Sequence, residues 1–311
     1  MAAAGDSIAE PAPTAASARL APKDLAIHVG LFAATCATTY LAGGAAFAAT
    51  LMTILVCHEM GHYLMARRYR LDVSLPYFIP LPPMISLGTL GAVIRMRAPI
   101  EDRKALIDVG AAGPIAGLVV AIPALAIGLS LSTVGPPLPE GITEGNSILY
   151  GVIKLTMFGR WLPGGGVDVQ LHPMAFAAWV GLLVTMINLI PIGQLDGGHV
   201  MRAWLDDRHE RVSAVLHRGL GVVAVVAGAG LYTTAVGAGA GTRAALGYAA
   251  YGVMPWLVWA LALYAMRQVG DGVYHPPVAG PPLSPGRRAL ALAMIVVFVL
   301  LFVPVPMRPT L

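Results

Sequence analysis

Long apolar stretches alternate along this chain with short segments rich in proline, glycine and charge. The apolar stretches lie near 25–43, 45–66, 108–132, 173–192, 213–236, 244–266 and 289–306. Each is close to the ~20 apolar residues that cross a bilayer as a helix. The pattern predicts an all-α polytopic membrane protein with about six or seven transmembrane helices. Little more than Gly43 and Gly44 joins the first two stretches. Between the second and third, Pro76, Pro80, Pro82 and Pro83 break helix. The run from Leu90 to Arg97 then alternates with period two and predicts a short membrane-associated β-hairpin. The segment 133–172 has Gly/Pro clusters at both ends and a helical pattern over 147–162. Glycine and alanine dominate from Gly219 to Gly241, which suits close helix packing in lipid.

Composition sharpens the membrane reading. Of 311 residues, 57% are hydrophobic and 12% charged, against about 25% charged in a soluble domain. Mean hydropathy is +0.73. These values exclude a disordered chain and argue against a soluble enzyme. The net charge is only +4, and the basic residues do not interleave with aromatics, so no nucleic-acid partner is expected. Cys36 and Cys57 sit in apolar runs and form no disulfide or metal-knuckle pattern. Residues 1–22 are Ala/Pro/Ser-rich, lack the apolar core of a secretory signal, and read as a disordered leader. Three parts follow: this leader, an intramembrane core over 23–200, and additional transmembrane helices over 201–311.

Charge also orients the chain. With the N-terminus inside, all but four of the 20 Lys and Arg residues fall on inner segments; Lys154, Arg160, Arg243 and Arg308 fall outside. This is the positive-inside asymmetry. It predicts a cytoplasmic N-terminus, with a bacterial inner membrane as the first expectation and an organelle membrane as the second.

One motif carries chemistry inside an apolar span: His58-Glu59-Met60-Gly61-His62, a HExxH pattern. On a helix, residues i and i+4 share a face, so both imidazoles can reach one metal ion. Two neutral imidazoles suit Zn²⁺. Glu59 lies about 100° round the helix, beside the ion. Zinc activates a water near neutral pH, and a neighbouring carboxylate can take its proton. Histidine and glutamate at membrane depth are costly, which favours function. His58 and His62 lie shortly before the basic run at Arg67, about 6–12 Å below the inner surface at 1.5 Å per residue.

A catalytic zinc needs a third protein ligand and an open fourth position. The metzincin continuation is missing, because Met65 and Arg68 stand where Gly and His are required. Glu101, in a charged loop, is one alternative. Asp196 is the better candidate, in Asn188-Leu-Ile-Pro191-Ile-Gly-Gln-Leu195-Asp196-Gly197-Gly198-His199. It would end an apolar helix just before the inner segment that holds Arg202. By position alone Asp196 is equally a cap for a helix beginning near His199. His199 is either a support for the site or an interface residue. The remaining histidines (His28, His172, His209, His217 and His275) read as interfacial or solvated.

The two motifs together resemble the site-2 protease family of intramembrane zinc metalloproteases. HExxH in one span is followed in a later one by N-x-x-P-x-x-x-L-D-G, matched by Asn188, Pro191, Leu195, Asp196 and Gly197. Gly113-Pro114-Ile115-Ala116-Gly117 resembles the family's Gly-Pro signature, and Gly88–Arg97 its membrane-associated β element. The resemblance covers about 45–200. It implies His58, His62 and Asp196 as ligands of one Zn²⁺, Glu59 as catalytic acid/base, and a substrate-side or oxyanion role for Asn188. It also implies transmembrane protein substrates in a lipid bilayer; oligomeric state is left open. The segment 133–172 is too short for a PDZ domain. The rivals are a non-catalytic metal-binding transporter or scaffold, and another membrane zincin using Glu101. A transporter would need ionisable residues in several spans, and outside the two motifs the spans hold almost none.

Overall fold

The structure, a computed structural model, describes residues 22–84, 86–137 and 141–310. The leader expected over 1–22 lies outside them but for its last residue. The chain is mostly helical, as its apolar pattern demands.

Helix α1 runs Pro22–Arg68. Its 47 residues would extend about 70 Å if straight, more than twice the ~30 Å hydrocarbon core. Gly44 interrupts it at φ 78°, ψ −175°, a conformation that only glycine adopts without strain. The two expected spans are thus one helix broken at the Gly43–Gly44 junction. Strands β1 (Tyr77–Pro80) and β2 (Thr89–Val93) follow as an antiparallel hairpin, with Tyr77 opposite Val93. The hairpin lies along the first half of α1. The His28 ring Nδ1 is 3.0 Å from the Pro76 carbonyl, and Thr38 Oγ1 donates to the Gly88 carbonyl at 2.6 Å. These anchors are ten residues apart on the helix, about 15 Å of membrane depth. The expected strand ends earlier than Arg97: beyond Val93 only a single bridge joins Val73 to Met96.

Helix α2 (Arg103–Ser130) starts from Asp102, whose carboxylate accepts from the amides of Lys104 and Ala105. It packs on the second half of α1 and on α4 (Pro173–Asn188). Leu51, Leu55, Leu106, Ile107, Leu125 and Trp179 fill the centre of this group. The segment connecting α2 to α4 folds as β3 (Thr133–Gly135), β4 (Ile142–Glu144), α3 (Ile148–Phe158) and β5 (Asp168–Gln170). There Lys154 is fully buried, 3.5 Å from Glu144 and 3.7 Å from Asp168. Burial pushes the Glu144 carboxyl up, and the Lys154 ammonium holds it back.

The fourth expected span stops at Asn188, not 192. A non-helical turn over 189–195 follows, with Pro191, which lacks an amide hydrogen, and Gly193 at φ 66°. Helix α5 (Asp196–Leu205) then begins. Helices α6 (Arg208–Gly237) and α7 (Thr242–Val269) form a closely packed pair. A Cβ at Gly252 would meet the Ala227 backbone, so glycine sets the approach distance there. Helix α8 (Pro285–Leu301) returns to the core, where Arg287 forks onto Asp108 at 2.7 and 3.0 Å. It ends at Leu301, before the expected 306 and ahead of Pro304 and Pro306. The chain continues as β6 (Met307–Pro309), paired with β4.

Helices α1, α2, α6 and α7 are long and apolar enough to cross a bilayer. Helices α4 and α8, at 16 and 17 residues, are shorter. The protein is an integral membrane protein.

Candidate metal centre

His58, Glu59 and His62 lie on the second half of α1, within its contact with α2. The helical pitch turns both imidazoles towards α2 and leaves Glu59 beside them. His58 is 2% and Glu59 5% exposed, so this polar trio sits in the protein interior rather than in lipid. Space for the rings comes from missing side chains on α2. A Cβ at Gly113 would overlap the His62 ring, and Gly117 faces the His58 ring. Gly61 on α1 faces the Ala112 backbone. Gly110, Gly113 and Gly117 recur at steps of three and four, so one bare face of α2 lies against the two histidines at Gly113 and Gly117 and against α5 at Gly110.

The His62 ring is oriented by the chain itself. Its Nδ1 donates to the Val109 carbonyl at 2.8 Å, since a carbonyl can only accept. The neutral ring therefore presents a bare lone pair at Nε2.

Asp196 arrives from the other side, as the first residue of α5. The sequence reading placed it at the end of an apolar helix, or capping one from His199; it instead opens the helix after the 189–195 turn. Gly197 packs against the Leu189 carbonyl and Gly198 against the Gly193 carbonyl. Side chains there would push α5 away from the turn. Asp196 Oδ2 is 3.2 Å from His58 Nε2 and 3.2 Å from His62 Nε2, and the two Nε2 atoms are 3.2 Å apart. With zinc–ligand bonds of about 2.0–2.1 Å, the edge of a tetrahedron is about 3.3 Å. The three donors thus form one face of such a tetrahedron. Moreover, a lone pair on neutral His62 faces a carboxylate oxygen, an opposition that a cation between them would relieve. The residues present fit zinc.

Asn188, the last residue of α4, places Nδ2 3.2 Å from His58 Nε2. The Glu59 carboxylate has no hydrogen bond among the described residues. Glu101 is exposed and outside the cluster; its main-chain carbonyl accepts from Ala279. The alternative third ligand is therefore not brought to the site.

Several histidines depart from expectation. His28, His209 and His275 are buried rather than solvated. His172 caps α4, and His217 is held between the Tyr274 hydroxyl and the Ala260 carbonyl. His199 bonds to His275, 2.8 Å from Nδ1 to Nε2. Long-range folding of the α7–α8 loop causes this, and local polarity carries no trace of it. The glycines of α2, by contrast, stand in the sequence at steps of three and four, a local signal for such a face.

Comparison with known proteins identifies the family. The profile of peptidase family M50 matches residues 46–227, more than half of the chain. This chain therefore belongs to peptidase family M50, the site-2 protease family. The Arabidopsis thaliana protein named "Probable zinc metalloprotease EGY1, chloroplastic" is 36% identical over 154 residues, 48% of this chain and 27% of that protein. "Probable zinc metalloprotease EGY2, chloroplastic" from the same plant is 33% identical over 150 residues, covering 47% and 26%. The Arabidopsis "DDT domain-containing protein PTM" is 33% identical over 123 residues, 38% of this chain and 7% of that protein. The chain thus spans well under two thirds of the length of these relatives. No solved structure matches.

Proposed function

We propose that this chain is an intramembrane zinc endopeptidase that hydrolyses peptide bonds in or near transmembrane segments of membrane proteins. The observation that carries the reading is the triangle of His58 Nε2, His62 Nε2 and Asp196 Oδ2, with 3.2 Å sides and the uncommitted Glu59 carboxylate beside it. His58, His62 and Asp196 would hold the ion. When bound, zinc supplies a Lewis acid and an activated water. Glu59 takes the proton of the attacking water and returns it to the leaving amine. Asn188 donates from Nδ2 to the carbonyl oxygen as charge develops on it. The Val109 carbonyl keeps His62 in the tautomer that offers Nε2 to the metal.

A substrate helix must unwind before attack. A groove of about 880 Å³ runs between Leu90 of β2, Leu183, Met186 and Ile187 of α4, and α7. It reaches the residue before Asn188. β2 pairs only with β1 among the described strands, so its free edge can hold an unwound segment by strand addition. We read seven crossings, two in α1 and one each in α2, α4, α6, α7 and α8. The site then opens towards the basic, cytoplasmic side. A bacterial inner membrane fits this polarity, and so does an organelle membrane such as the one implied by the chloroplastic names of the relatives.

Zinc content and cleavage of a transmembrane test substrate by the purified protein check the proposal. Glu59→Gln is expected to retain zinc and lose cleavage, whereas Asp196→Ala loses zinc. Unchanged cleavage in Glu59→Gln would end the protease reading. Unchanged zinc content in Asp196→Ala would remove the ligand assignment.

A further inference from the structure

Gly197 and Gly198 seat the start of α5 on its turn, but no side chain caps it. The preceding turn is irregular. The positions three residues before and three residues after Asp196 are nevertheless both tied to the C-terminal third of the chain. On the far side, His199 lies on the same helical face as Asp196 and meets His275 at 2.8 Å. On the near side, the Gly193 amide points to Ser213 Oγ at 3.5 Å, and Ser213 in turn meets His209 Nε2 at 3.1 Å. The His209 and His275 rings pack edge to face, 6.0 Å between centroids. One histidine chain therefore brackets the turn that presents Asp196.

The hydrogen-bond directions follow from the acceptors. His275 Nδ1 lies 2.8 Å from the Pro276 carbonyl and must donate to it. Its Nε2 is then an acceptor, so His199 Nδ1 donates. Burial lowers the His275 pKa and favours the neutral ring this scheme requires. His275 is itself held in place. The Tyr274 amide donates to Glu210 at 3.0 Å, and the Tyr274 hydroxyl meets His217 at 2.9 Å. Further along the same loop, the Ala279 amide donates to the Glu101 carbonyl at 2.7 Å. The α7–α8 loop is thus a strap fastened to α6 on one side and to the start of α2 on the other, with His275 reaching α5 between them.

We infer that His275 is a positioning residue for the metal centre: through His199 it fixes the helix that carries Asp196. The inference rests on the proposed zinc site and extends it to a part of the chain outside the family's motifs. Groups that hydrogen-bond a metal ligand directly typically change metal affinity about 10–100-fold when lost; His275 acts through the helix that carries the ligand, so an effect at the lower end of that range is expected.

The test uses the full-length protein in detergent, with zinc affinity measured by chelator competition and the absorption spectrum of the Co²⁺-substituted form. His275→Ala is expected to weaken zinc about tenfold or more and to alter the Co²⁺ bands. His275→Gln, whose amide oxygen can accept from His199, is expected to restore most of both. Tyr274→Phe removes one anchor of the strap but leaves His275 its bond to His199, and should show only a small part of these losses. If His275→Ala does not fold, His199→Phe keeps the ring's bulk, removes its donor, and is expected to show the same losses. Native affinity and spectrum in whichever of these two variants is purified would overturn the inference. So would a loss in Tyr274→Phe equal to that in His275→Ala. A native protein that takes up no zinc would instead overturn the proposed function, and the inference with it.

Discussion

The two halves of the metal centre are built in opposite ways. On the α1–α2 side, His58 and His62 sit on one uninterrupted stretch of helix, and their relation is set by the helical pitch. The second helix contributes mainly absences: glycines at 113 and 117 leave room for two rings, Gly110 lets α5 approach, and one main-chain carbonyl orients His62. On the α4–α5 side, Asp196 and Asn188 flank an irregular turn, eight positions apart. Their relation is set by packing of Gly197 and Gly198 on the turn and by contacts from α6 and the α7–α8 strap. A regular element can carry a paired ligand set by itself. An irregular one must be held from outside.

The largest effect that would sharpen this contrast is chemical. Glu59→Gln should lower the cleavage rate by about 10²–10⁴-fold while zinc content, measured by elemental analysis, stays near one per chain. Asn188→Ala is expected next, with a loss of about 10²–10³ in kcat and little change in zinc. A loss confined to zinc binding would break the oxyanion assignment.

Substitutions that restore missing side chains come third. Gly113→Ala should displace the His62 ring and weaken zinc by at least about tenfold, with α5 unaffected in hydrogen exchange. Gly197→Ala should raise exchange across the 189–195 turn as well as weaken zinc, at an overpacking cost of about 1–3 kcal/mol. Equal exchange patterns in the two variants would erase the distinction between the halves.

The smallest effect is expected at the break in α1. Gly44 has open space around it but a positive φ. Gly44→Ala should therefore cost only about 1–3 kcal/mol of backbone strain, read as a lower unfolding midpoint with zinc affinity intact.

How much was legible in advance divides along the same line. The spans over α2, α6 and α7 could be read because hydrophobic run length reports membrane crossing directly. The HExxH pair could be read because its geometry is local to one helix. The glycine-marked break in α1 was also visible. The short ends of α4 and α8 were read too long, because apolarity continues past Asn188 and past Leu301 while the backbone turns. Asp196 was located, but its place at the start of α5 was not, since that depends on how the turn closes on Gly197 and Gly198. His28, His209 and His275 read from sequence as interfacial or solvated yet are buried, because no sequence-local property distinguishes a histidine that a distant segment will cover.

The sequence by itself thus determined that this is a membrane protein with a paired imidazole site, because membrane burial and the i, i+4 relation are properties of contiguous chain. Only the tertiary structure decided which carboxylate meets that pair, which way the rings face, and that the C-terminal strap reaches the helix carrying it. Those depend on contacts across 47 to 138 positions, from Val109 to His62 and from Asp196 to His58. Separations of that size are set by packing.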